Sequence, residues 1–177
     1  MSTWIALLRG INVGGHHLLP MKELRGLLEE LGCEDVRTYL QSGNAVLRSK
    51  LAPNSLAKKV RSAIEQAHGF APVILPLRRE EIEEAAAANP FPEAEADPKT
   101  LHLSFLARAP KKPDLERIAE MAATDERWEL DGRTFYLHAP SGIARSKLAS
   151  GAEKALGVEL TARNWRTVQK VLELAAD

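Results

Sequence analysis

The sequence predicts an α+β protein made of two ferredoxin-like (βαββαβ) halves, antiparallel sheets with helices packed on one face, plus an extra C-terminal helix. Three observations predict it. Apolar strands and amphipathic helices alternate as βαββαβ through residues 1–78, and the same order returns after residue 99. Between the repeats, Arg78–Lys99 begins as a good helix and then meets Pro90, Pro92 and Pro98, where no helix can continue. The expected organisation is a lobe at 1–78, a helical and proline-rich connector at 79–99, and a second lobe at 100–177 that carries the terminal helix.

Each element has its own reason. Thr3–Arg9 is almost continuously apolar, as a central strand covered on both faces would be. Met21, Leu24, Leu27, Leu28 and Leu31 recur at helical spacing between Pro20 and Gly32, a proline opening and a glycine close. Val36–Leu40 and Ala45–Ser49 read as strands joined by the turn Gln41–Asn44. Asn54–Gly69 reads as a helix capped by Asn54 or Ser55, and Pro72–Leu77 as a fourth strand. In the second half, Thr100–Arg108 is a strand and Lys112–Ala123 a helix. Asp131-Gly132 marks a hairpin with a type I′ turn between Arg127–Leu130 and Arg133–His138. Ser146 should cap a helix ending at Gly157, Val158–Leu160 reads as a short closing strand, and Ala162–Ala176 reads as the terminal helix.

The 24 Lys and Arg balance the 24 Asp and Glu, so no global field recruits nucleic acid or an anionic membrane. Cys33 is the single cysteine; at a helix end before a strand it reads as a buried structural thiol, which fits a reducing compartment. The opening run Trp4–Leu8 is too short for a signal peptide, and no stretch approaches the roughly twenty apolar residues of a membrane span. The expectation is a cytoplasmic protein with no membrane partner.

Crossover handedness brings the ends of the first two strands to one sheet edge, so "RGINVGG" (Arg9–Gly15) meets "QSGN" (Gln41–Asn44). Arg9, Asn12, Gln41, Ser42 and Asn44 converge there, and Gly10, Gly14 and Gly15 would let backbone amides approach a ligand. A P-loop or dinucleotide fingerprint would need a helix directly after the glycines; His16–Pro20 intervene, and both readings fail. Turn chemistry accounts for the same residues: Gly14 and Gly15 shape a loop, Gly43 supplies a positive φ, and Asn12 and Asn44 bond their own backbone.

No metal or cofactor motif accompanies the histidines. His16 and His17 are neighbours whose side chains diverge, while His102 and His138, on a sheet face they could share with Ser104 and Tyr136, read as partly exposed sheet histidines. No nucleophile, acid or base can be assigned, and Ser42 lacks a nucleophile-elbow context. Arg145–Lys147 and Arg163–Arg166 read as basic helix starts, where positive side chains oppose the helix dipole; a bound anion or a salt bridge to the acidic connector would account for them. Trp165 opens an apolar stripe with Val168, Val171 and Leu172 and reads as core.

Taken together, "LLRGINVGG", "MKELRGLLEELG", "VRTYLQSGN", "NPF" and "RNWRTV" make the chain similar to a bacterial family known as domain of unknown function 1697. The resemblance implies two ferredoxin-like halves and carries no activity. Its motifs fall on Arg9, Gly10, Asn12, Gly14 and Gly15, on Gln41–Asn44, and on Arg163, Asn164 and Trp165, mostly polar loop positions rather than core. The functional expectation is a small anionic or nucleotide-like ligand held between the lobes by Arg9 and Arg163. Asn12, Gln41, Ser42, Asn44 and Asn164 would orient it, beside the backbone of Gly14 and Gly15. The tie from Arg9 to Arg163 rests on the resemblance. An RNA-binding sheet and a protein-interaction module are the alternatives.

Overall fold

A computed structural model of the protein describes residues 1–176. The chain divides into two compact units, Met1–Glu83 with the chain from Lys170 onward, and Glu84–Gln169.

In the first unit the order is β1 (Ser2–Arg9), α1 (Met21–Glu30), β2 (Glu34–Tyr39), β3 (Asn44–Ser49), α2 (Pro53–His68), β4 (Val73–Leu77) and the start of α3 (Arg79–Ala87). The sheet order is β2-β3-β1-β4. Both β1 and β2 run antiparallel to β3, so they end at one edge, as handedness requires. Trp4, Ala6 and Leu8 share a core with Ala45 and Leu47, Leu24 and Leu28 of α1, and Leu56, Val60 and Ile64 of α2. Ile5 and Leu7 on the other face are buried as well, which is why β1 reads as an unbroken apolar run. Each such fully buried side chain contributes about 1.5–3 kcal/mol of transfer free energy.

The second unit repeats the scheme. After a 3-10 turn at Pro92–Ala96 come β5 (Leu101–Leu106), α4 (Leu115–Met121), β6 (Arg127–Asp131), β7 (Thr134–His138), α5 (Lys147–Leu156) and β8 (Leu160–Asn164), followed by α6 (Trp165–Leu174). The sheet order is β6-β7-β5-β8. Leu106, Phe135 and Leu137 pack with Ile118 of α4 and with Leu148, Ala152 and Leu156 of α5. On the opposite face Leu101, Leu103, Phe105 and Tyr136 are buried, and the Tyr136 hydroxyl donates to the Ala85 carbonyl at 2.6 Å. Burial, with Asp131 nearby, pushes the Tyr136 pKa up to about 12. The connector is fastened to this unit: Arg127 bonds Glu93 and His138 and lies over the Phe91 ring, 4.6 Å from its centroid.

Several local expectations need correction. The helix α2 begins with Pro53 after Ala52, with no side-chain cap from Asn54 or Ser55, because a start at Pro53 puts both of them inside the first turn rather than at the cap position. The closing strand β8 is longer than Val158–Leu160 suggested and takes Ala162–Asn164 from the terminal helix, since pairing with β5 satisfies their backbone groups first. Asp131 pairs with Thr134, so the two turn residues are Gly132 and Arg133; only Gly132 has positive φ, the sign pattern of a II′ turn rather than I′. His102 is only 9% exposed, not partly open, because both faces of β5 are covered. Ser146 does cap α5, its hydroxyl accepting from Ala149 N at 3.0 Å.

Candidate functional site

At the β1 edge of the first unit, sequence reasoning brought the right segments together. The Leu8 amide donates to the Gly43 carbonyl at 2.8 Å. Asn12, in left-handed conformation with φ 53°, donates through Nδ2 to the carbonyls of Leu19 (2.9 Å) and Gln41 (2.8 Å), and its Oδ1 accepts from Leu19 N at 2.8 Å. Asn44 is buried and donates to the Tyr39 carbonyl at 2.7 Å and to Ser42 Oγ at 3.1 Å. The Asn12 amide therefore ties the two loops to each other, while Asn44 braces its own β2–β3 turn.

The glycines have a geometric reason too. Gly14 and Gly15 are the two central residues of a tight hairpin closed by His16 N donating to Val13 O at 3.0 Å, and both have positive φ, 58° and 76°. That is the I′ sign pattern which the Asp131-Gly132 dipeptide promised and did not adopt. Gly43, at φ 90°, sits where an added Cβ would lie 2.7 Å from Leu8 Cβ. Arg9, Gln41 and Ser42 remain exposed at this edge. Beside them the His17 ring stacks on Phe70, with centroids 4.6 Å apart and planes 12° from parallel, and its Nδ1 lies 3.1 Å from the Gly10 carbonyl.

Arg163 and Asn164 belong to the second unit and stand differently from expectation. Arg163 is the fourth residue of β8, paired with Leu103, and only 9% exposed; its Nη1 donates to the Ala162 carbonyl at 2.8 Å. Burial pushes its pKa down to about 10. The helix amides expected beside it are capped one residue on, where Asn164 Oδ1 accepts from Thr167 N at 3.0 Å. The argument for an anion at a helix start thus fails at Arg163.

At the other basic helix start, the geometry is open. A cleft of about 660 Å³ lies at the start of α5, and Met121, Ala122, Ala139 and Ala144 are among the residues that line it. Arg145 and Lys147 line it beside Ser146, while Glu120, Asp125 and Glu126 supply negative charge. Asp125 Oδ2 accepts from the Ser141 hydroxyl at 2.6 Å, and Glu126 accepts from Ser146 at 2.5 Å and from Ala123 N at 2.9 Å. The connector's Glu93 pairs with Arg127, not with Arg145 or Lys147. The sequence flagged Arg145–Lys147 but gave no sign of Ser141 or Asp125, which lie in two loops that only the fold brings together.

Among the described residues no group of three or more His, Cys, Asp or Glu could hold a metal ion, and no helix is long and apolar enough to cross a membrane. A family model described as a protein of unknown function, DUF1697, matches residues 1–136. The chain belongs to the DUF1697 family. No curated protein matches it. A solved structure of a conserved bacterial protein from Streptococcus pneumoniae has the same fold, with a TM-score of 0.71, 22% identity and 98% of each chain covered. The DUF1697 match takes in Arg9–Gly15 and Gln41–Asn44 as well as Asp125 and Glu126 of the cleft. Arg145–Lys147 and Arg163–Trp165 lie beyond the matched residues.

Proposed function

We propose that this protein binds a small anionic ligand, and that the cleft at the start of α5 receives it. One observation supports this most: among the described residues Arg145 and Lys147 make no ion pair, although they line a cavity of about 660 Å³, a size that suits a small molecule. Glu126 already places one carboxylate on the Ser146 cap, and a ligand's carboxylate or phosphate would add the partner that Arg145 and Lys147 lack. A reducing compartment suits the buried thiol of Cys33, whose pKa is raised by burial, and supports a cytoplasmic setting.

A second binding edge is supported by the exposed Arg9, Gln41 and Ser42 beside the His17–Phe70 stack, an arrangement suited to a nucleotide-like ligand. The RNA-binding alternative loses support, because Trp4, the aromatic that β1 would offer to bases, is 3% exposed.

The test is a thermal-shift screen of phosphates, nucleotides and carboxylates on the wild type and on Arg145→Ala, Lys147→Ala and Arg9→Ala. A ligand at a hundred times its dissociation constant should stabilise the wild type by about 2.7 kcal/mol. The gain should shrink in the Arg145 and Lys147 variants. If only Arg9→Ala abolishes it, the site is the β1 edge; if no anion stabilises the wild type, anion binding is wrong.

A further inference from the structure

The same cleft carries charge of both signs, and the two signs do not meet. Glu120, Asp125 and Glu126 line it opposite in charge to Arg145 and Lys147, yet among the described residues no ion pair joins the two sets. Glu126 is committed at both oxygens, to Ser146 and to the Ala123 amide, and acts as a brace for the start of α5. Glu120 faces Arg117 on its own helix at 3.5 Å. Asp125 differs: Oδ2 accepts from Ser141, and among the described residues its second oxygen has no hydrogen-bond partner. Met121, Ala122, Ala139 and Ala144 add apolar surface to the same lining.

We propose that the cleft takes a zwitterion with an apolar body, an amino acid or short peptide carrying a free ammonium and a free carboxylate. The inference rests on the anion reading above and names its ligand class. Arg145 and Lys147 receive the carboxylate, Asp125 receives the ammonium, and the apolar lining residues receive the side chains. An inorganic anion would neutralise the cations only and leave most of about 660 Å³ to water. A ligand with both termini partners charges of both signs and covers the apolar lining, and charged hydrogen bonds are the stronger ones.

The probe is the dipeptide Leu-Leu, compared by calorimetry with N-acetyl-Leu-Leu and with Leu-Leu amide on the full chain. Blocking either terminus should weaken binding about tenfold or more. Asp125→Asn keeps an acceptor for Ser141 and removes the charge; it should weaken Leu-Leu while leaving N-acetyl-Leu-Leu unchanged. If the acetylated form binds as well as Leu-Leu and Arg145→Ala weakens both, the zwitterion inference is overturned and the anion reading survives. If neither binds while phosphate or a nucleotide stabilises the chain through Arg145, the inference is again overturned. If no probe and no anion binds, both readings fall.

Discussion

The β1 edge and the α5 cleft are both polar, and they use polarity in opposite ways. At the β1 edge the side chains of Asn12 and Asn44 are spent on the backbone of the loops that meet there, and Gly14, Gly15 and Gly43 hold backbone angles that other residues resist. In the cleft, Arg145, Lys147 and one oxygen of Asp125 are left over once the loops are braced by Ser141, Ser146 and Glu126. A polar, glycine-rich motif can therefore be architecture, whereas charge left over beside a cavity is available for binding.

The sharpest way to break this comparison is at Gly43. Gly43→Ala forces a Cβ into Leu8 and Ile11 at a positive φ, and urea unfolding should show a loss of about 2–4 kcal/mol. Full stability in that variant would mean that the β1 edge is loose enough to serve some other purpose.

Arg163 should come next. It is buried in β8, so Arg163→Ala should cost about 2–3 kcal/mol with no ligand present, chiefly through lost packing. Unchanged ligand-free stability would return Arg163 to the role of a ligand arginine.

Asn12→Ala should cost about 1–2 kcal/mol, because three hydrogen bonds of a part-buried amide are lost. By contrast Arg145→Ala and Lys147→Ala should change ligand-free stability by less than about 0.5 kcal/mol, as exposed side chains do. If the cleft variants lose as much as Asn12→Ala, the two regions are not different in kind.

The smallest effect concerns pH. Burial lowers the His102 pKa, only partly offset by the Thr100 backbone, and its Nδ1 has no partner among the described residues. The unfolded chain, with a histidine pKa of about 6.5, then holds the extra proton more readily than the folded one. Its contribution is complete above about pH 6.5 and is lost as pH falls towards the lower folded value. His102→Gln should flatten the stability profile between about pH 7 and 5. A profile as steep as the wild type's would place the acid sensitivity elsewhere.

The sequence by itself determined the repeated βαββαβ order, the covered first strand and the meeting of Arg9–Gly15 with Gln41–Asn44. Periodicity and crossover handedness act over a few residues or one connection, and both are written locally. The caps followed the same logic where a residue had one dominant preference, as Ser146 did. What lay outside local reach was decided by competition in the folded chain. Ala162–Asn164 have helical neighbours, yet β5 offers them a ladder, and that moves Arg163 from a helix start into a sheet. Gly14-Gly15 took the I′ turn because Asn12 and Leu19 pin the loop on either side. The α5 cleft, finally, needs two separate loops, Ala122–Glu126 and Ala139–Lys147, and only the folded sheet and its helices bring them to one place.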